Sequence, residues 1–276
     1  MRVLALDTTT RAGSAALVVG EEPDGEVRVA DERPGDPSRS HAERLPSELS
    51  VLLDANGLSW RDIDLFAVAS GPGSFTGLRV GIATMQGLAL VVGRPIVGVP
   101  ALVAMGHLAA RQLGAGRRVG VWIDAHRREV FAALFEVERG PAAHAGARQA
   151  GAGRVKTTAR LREKEIVGLT EAEGATVGDP AAALDRWRRS GIVPSVFVGD
   201  GARLYEEIIS RMAPGATISG TPPLAGVIGL LALERVRRGE VVTAADVQPL
   251  YVRRPDAELA REHALANRSA DIPGSN

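Results

Sequence analysis

Two patterns of apolar residues alternate along the chain: short unbroken runs, and longer stretches in which apolar residues recur at helical spacing. Val3 to Leu6, ending at Asp7, and Ala15 to Val19 are runs of the first kind, and Thr8-Thr9-Thr10-Arg11-Ala12-Gly13 joins them as a hairpin. Val27 to Ala30 predicts a third strand after a turn over residues 21 to 25, with a proline- and charge-rich loop over 31 to 38. Ser40-His41-Ala42-Glu43 has the form of a capping box, and Leu45, Leu49, Leu52 and Leu53 follow it as one stripe up to Asn56-Gly57. Pro46 lies inside that helix, removes one backbone hydrogen bond and is expected to bend it. Phe66 to Ala69 is a buried strand stopped by Ser70-Gly71-Pro72-Gly73. A helix then starts with Ser74 or Thr76 as N-cap and carries Leu78, Ile82, Met85 and Leu88 or Ala89. A strand at Ile96 to Val99 and a helix from Ala101 to Gln112 complete this half, with Gly114-Ala115-Gly116 behind them.

The second half opens on a hairpin, Val119 to Ile123 and Val130 to Glu136, followed by a Gly- and Ala-rich loop over 137 to 155. Asp179-Pro180 caps and starts a helix to Arg189, and Val196 to Val198 is a strand before Gly199-Asp200-Gly201. Leu204 to Met212 and Pro223 to Arg238 predict helices, the latter amphipathic through Leu224, Val227, Ile228 and Leu231 and stopped by Gly239. Arg235, Arg237 and Arg238 complement its negative end. Residues 254 to 276 read as a polar, flexible tail with a short helix over 257 to 267.

Laying Leu6-Asp7 over Ile123-Asp124 also lays Ala15-Ala16-Leu17 over Ala132-Ala133-Leu134, and Gly71 and Gly73 are echoed by Gly199 and Gly201. Two matches in the same order predict a duplicated α/β unit: mixed sheets with helices on both faces, the ribonuclease H-like architecture of actin, sugar kinases and Hsp70, with the second half reduced. The boundaries expected are 1–113, 114–253 and a tail over 254–276.

Candidate chemistry changes this picture little. In actin-like ATPases an acidic residue and hydroxyls at the first hairpin hold metal and phosphate, which makes Asp7, Thr8, Gly73 and Asp124 the candidates for nucleotide. The alternative for both aspartates is to cap their own turns. The glycine turn lacks the Gly-Lys-Ser/Thr ending of a P-loop and the spacing of a dinucleotide fingerprint. His41 has Leu45, not histidine, one turn on, so no metal site is expected. The absence of cysteine excludes thiolate nucleophiles, disulfides and cysteine-ligated zinc. With 33 basic and 33 acidic residues, the chain lacks the surplus expected of a protein that holds nucleic acid unaided. No apolar run approaching a membrane span and no leader pattern is read at the start, which predicts a cytoplasmic protein.

The helix after the glycine turn contains Gly77, Gly81 and Gly87, each costing about 0.5 to 1 kcal/mol against alanine in a helix interior. Gly77 and Gly81 share one face and leave a groove, open either to close packing in the chain's own core or to a partner.

Resemblance adds to this reading. Gly71-Pro72-Gly73-Ser74-Phe75-Thr76-Gly77-Leu78-Arg79-Val80-Gly81 resembles the signature of the TsaB (YeaZ) family, and Asp124-Ala125-His126-Arg127-Arg128-Glu129-Val130-Phe131 resembles its second signature, with His126 and Phe131 as departures. Pro249-Leu250-Tyr251-Val252-Arg253 resembles the family's C-terminal Pro-x-Tyr-Leu-Arg stretch. The resemblance implies the actin-like fold and a non-catalytic partner of TsaD, without cofactor, in the synthesis of threonylcarbamoyladenosine at position 37 of tRNAs reading codons that begin with A. It implies pairing with TsaD, or with a second copy when TsaD is absent, through the helices at 40–55 and 76–92, and the ATPase TsaE as a third member. On this reading the interface residues are Leu45, Leu49, Leu52, Gly77, Arg79, Gly81, Ile82 and Met85, and tRNA is reached only through the complex.

Overall fold

Strand β1 (Arg2–Asp7) is apolar on both faces because both are covered: Val3 and Ala5 point into one cluster of buried side chains, Leu4 and Leu6 into another. A computed structural model describes residues 1–20, 26–111, 113–138, 168–240 and 246–253. β1 pairs antiparallel with β2 (Ser14–Gly20) and parallel with β4 (Leu65–Gly71), while β3 (Val27–Pro34) and β5 (Ile96–Pro100) form the edges.

The second sheet repeats the first strand for strand. β6 (Arg118–Asp124) lies at its centre, antiparallel to β7 (Val130–Val137) and parallel to β9 (Val196–Val198), with β8 (Leu169–Gly178) and β10 (Thr217–Ser219) outermost. The orders β3-β2-β1-β4-β5 and β8-β7-β6-β9-β10 are one topology used twice, the duplicated ribonuclease H-like arrangement of actin and the sugar kinases. β8 is absent from the sequence expectation because its Thr-Glu-Ala-Glu-Gly pattern has little apolar character. The reduction of this half lies in its helices: α4 (Pro180–Arg189), α5 (Asp200–Leu204) and α6 (Glu206–Met212) are shorter than α1 (His41–Ala55) and α2 (Phe75–Val92). The single helix expected over 204 to 212 is two, separated at Tyr205.

α1 and α2 cover one face of the first sheet. The opposite face carries α3 (Ala101–Ala110) and α7 (Ala225–Arg237). α3 also packs on the second sheet, so one apolar cluster runs through both halves. α7 belongs by sequence to the stretch expected as the second subdomain, yet it lies on β1, β2 and β4. Its start is tied there: Leu224 and Ala225 N–H both donate to Ser14 Oγ at 3.0 Å, and Gly226 N–H donates to Glu32 at 2.8 Å. Ala225 to Leu233 are all buried, so this helix is apolar all round there rather than striped. β3 continues to Pro34 through residues expected as loop, since Ala15 and Ala16 offer pairing as far as Arg33 and Glu32. The turn at 21–25, the loop from 139 to 155 and the tail with its expected helix lie outside the described residues.

Candidate functional site

The glycine turn and α2 are positioned by the first hairpin. β4 ends at Gly71 with φ +109°, and β9 is followed by Gly199 with φ +121°, equivalent points where a side chain is disfavoured. Ser74 caps α2 by accepting from Gly77 N–H at 3.2 Å, and its own N–H donates to Thr9 O at 2.8 Å. A Cβ on Gly73 would stand 2.6 Å from Thr9 Cβ, one on Gly77 would overlap Thr8 O, and one on Gly81 would stand 2.9 Å from Thr8 Cγ2.

That contact corrects the expected interface. The notch made by Gly77 and Gly81 is filled by Thr8 of the same chain, so these glycines serve internal packing. Leu45, Leu49, Leu52, Ile82 and Met85 are buried in the core between the helices and the sheet. The stripe that defines each helix is the stripe that holds it to its own sheet, because those apolar positions have first claim on the sheet face. Arg79 alone of the eight lies outside, where it stacks on Phe75 (3.9 Å to the ring centre) and donates to Tyr251 Oη at 3.1 Å.

The opposite side of α2 is apolar as well. Ala83, Gly87, Leu90 and Val91 are exposed, Leu90 to 76% and Val91 to 86%, and Val51 on α1 to 51%. A Cβ on Gly87 would meet nothing within 4 Å. With 18 residues and a mean hydropathy of 1.5, α2 is the one described helix that satisfies length and composition for a membrane span, a test that a core helix also passes, and its buried face rests on β4.

Both hairpin aspartates cap their own turns. Asp7 Oδ1 accepts from Thr9 N–H at 2.9 Å and Thr9 Oγ1 at 2.7 Å; Asp124 Oδ1 accepts from His126 N–H at 2.9 Å. Burial pushes the Asp7 carboxyl above its ordinary range against the two bonds from Thr9. Asp200 is raised for the same reason, although it accepts from Asp124 N–H at 2.9 Å and Gly201 N–H at 2.8 Å. Thr8 Oγ1 is buried without a hydrogen-bond partner.

A cleft of about 520 Å³ between the halves is lined by Thr9, Arg39, His41, Thr76, Asp124 and Asp200 among others. A second cavity, about 580 Å³, has Phe75, Leu78, Phe131, Tyr251 and Arg253 in its walls. Of the four nucleotide candidates, Asp124 lines both, Gly73 lines the second, and Asp7 and Thr8 line neither. Gly73, Ser74 and Gly77 pack directly on Thr8 and Thr9 of the first hairpin. Among the described residues no three His, Asp or Glu side chains are grouped to hold a metal ion.

His41 is a structural histidine of the cleft wall. Its Nδ1 accepts from Arg44 at 2.8 Å and its Nε2–H donates to Thr10 O at 3.0 Å, the pattern of a neutral ring. Burial first, then the Arg44 charge, lowers its pKa. Arg44, buried, also donates to the Ala12 carbonyl and to Glu48, clamping the first hairpin to α1. Sequence reading passed over Arg44, since nothing in its spacing sets it apart from the solvated arginines. Asp200 carried a signal, the Gly-Asp-Gly turn in the repeat.

The C-terminal stretch crosses both halves. Leu250 N–H donates to Ser70 O at 2.7 Å, the Tyr251 ring lies 5.6 Å from that of Phe75, and Arg253 donates to Ala125 O at 2.9 Å and pairs with Glu129.

A family profile described as "TsaD: tRNA N6-adenosine threonylcarbamoyltransferase" matches residues 32–260. The tRNA threonylcarbamoyladenosine biosynthesis protein TsaB of Haemophilus influenzae is 26% identical over 253 residues, 92% of this chain and 94% of that protein. The protein of the same name from Escherichia coli is 40% identical over 136 residues, 49% of this chain and 55% of that one, so the match spans about half of the E. coli relative. The chain belongs to this family, on its TsaB/YeaZ branch. The solved structure of YeaZ from Pseudomonas aeruginosa has the same fold, with a TM-score of 0.65 at 26% identity over 91% of this chain and 99% of that one. The three stretches that resemble TsaB/YeaZ signatures, far apart in sequence, meet in space: each contributes residues to the walls of the second cavity.

Proposed function

We propose that the protein serves tRNA threonylcarbamoyladenosine biosynthesis as a non-catalytic subunit that docks on a TsaD-type threonylcarbamoyltransferase in the cytoplasm. The docking surface is the outward face of α2 with the adjoining edge of α1. One observation carries this reading: an 18-residue helix whose two sides are both apolar, one on its own sheet and the other left open at Ala83, Gly87, Leu90 and Val91. Exposed apolar patches of this kind mark interfaces. Gly87 lowers the surface so that a facing helix can approach closely. In the absence of TsaD the same face closes on a second copy, an isologous contact. TsaE joins as a third component, and tRNA is held by the assembly, since a balanced chain has no surplus of positive charge to offer. The turn-capping roles of Asp7 and Asp124 support the absence of catalysis in this subunit.

Co-expression with the host's TsaD and gel filtration tests it: the two co-elute, and Leu90→Glu abolishes co-elution while the chain stays folded. Co-elution undisturbed by Leu90→Glu overturns the docking surface, and tRNA modification by this chain alone overturns the subunit reading.

A further inference from the structure

Among the described residues, two features pack across the halves. α3 forms a continuous apolar layer with both sheets, and residues 247–253 run along the cleft from one half to the other. The segment is anchored firmly on the first half. Val247 is buried in its core, Gln86 Nε2 donates to Val247 O at 3.0 Å, and Leu250 N–H donates to Ser70 O at 2.7 Å. Tyr251 then takes the Arg79 hydrogen bond and lies against Phe75.

Attachment to the second half is of another kind. Arg253 reaches the β6–β7 turn, donating to Ala125 O at 2.9 Å and pairing with Glu129. In that turn His126, Arg127 and Arg128 have φ of 57°, 54° and 65°, and it is closed by Ala125 N–H to Glu129 O at 3.0 Å and Glu129 N–H to His126 O at 2.9 Å. Arg253 grips this turn through a fork that holds a carbonyl and a carboxylate together. Both members of the ion pair are partly exposed, so the grip is weak enough to break and re-form.

We propose that residues 247–253 are a strap across the cleft, with Arg253 as its releasable contact, that holds the two sheets at one angle while α3 acts as the fulcrum. Release of Arg253 frees the second half to swing away from α2 and opens the 580 Å³ cavity, whose wall includes Leu250, Tyr251, Val252 and Arg253. The strap is a property of this chain alone and stands whether or not α2 docks a partner.

Because the chain has no cysteine, Ser47→Cys on α1 and Glu207→Cys on α6, both exposed, accept a pair of spin labels without competition. Pulsed electron resonance on the labelled full chain is expected to give one narrow distance distribution, and Arg253→Ala to shift it to longer distance and broaden it. Glu129→Gln, which keeps the carbonyl contact, shifts it in the same direction by less, and Tyr251→Phe, which keeps the ring contact, least. Far-ultraviolet circular dichroism unchanged across the series separates swinging from unfolding. An unchanged distribution in Arg253→Ala overturns the proposal; should that variant fail to fold, an unchanged distribution in Glu129→Gln overturns it.

Discussion

Thr8 sits in the notch over Gly81: a Cβ there would stand 2.9 Å from Thr8 Cγ2 and nearer still to its Oγ1. The glycine pair on α2 is therefore matched to a residue of its own first hairpin.

Gly81→Ala forces α2 away from the hairpin and should destabilise the chain by about 1 to 3 kcal/mol, the usual cost of overpacking. Gly87→Ala on the open side of the same helix should stabilise it by about 0.5 to 1 kcal/mol, since only helix propensity changes there. Urea unfolding of the two variants reads both signs, and equal effects at the two positions would contradict the assignment.

Buried and outward leucines separate stability from association. Leu49→Ala removes a fully buried side chain and should cost about 2 to 5 kcal/mol. Leu90→Glu, at an exposed position, should change stability by no more than about 0.5 kcal/mol and yet prevent co-elution with TsaD.

The Asp7 carboxyl titrates above its ordinary 3.8 because it is buried, so between the unfolded and folded values the native state keeps a proton that the unfolded chain has released. Its contribution is fully present below the unfolded value and lost as pH rises through the folded one. Asp7→Asn keeps an acceptor for Thr9 without the charge, and its stability relative to the parent should rise as pH increases through that window. A constant difference across pH would show that Asp7 is not the group responsible. His41 works in the opposite sense: its lowered pKa favours the neutral ring, and its contribution is lost as pH falls through the folded value.

Calorimetry with Mg-ATP on the isolated chain is expected to show no saturable heat and no turnover, since Asp7 is held by Thr9 and neither Asp7 nor Thr8 reaches a cavity. Tight binding with hydrolysis would favour the competing reading, an actin-like ATPase or kinase acting by itself, for which Asp124 and Asp200 in the cleft are the natural residues.

Much of the architecture was legible. Val3 to Leu6 and Val119 to Ile123 announced themselves as matching strands of two units, each ending in an aspartate, because strands buried on both faces must be apolar throughout and their hairpin turns need a cap. Ser40 and Glu43 marked the start of α1, and Asp179 with Pro180 that of α4, through chemistry confined to neighbouring residues. β8 escaped because an edge strand with polar residues carries no periodic signal. Arg44 escaped because its importance lies in what surrounds it, the Ala12 carbonyl and the His41 ring, both brought near only by folding.

By itself the sequence determined the strongly apolar strands and the capped helices, where the turns require glycine, and that one α/β unit occurs twice, since these follow from periodicity and local backbone chemistry. Tertiary structure alone decided which side of α2 meets the sheet, that Thr8 fills the Gly77–Gly81 notch, that α7 returns to the first sheet, and that Arg253 spans the cleft. Helical spacing defines a face without naming its neighbour, and the neighbour is set by how distant segments compete to cover the same apolar surface.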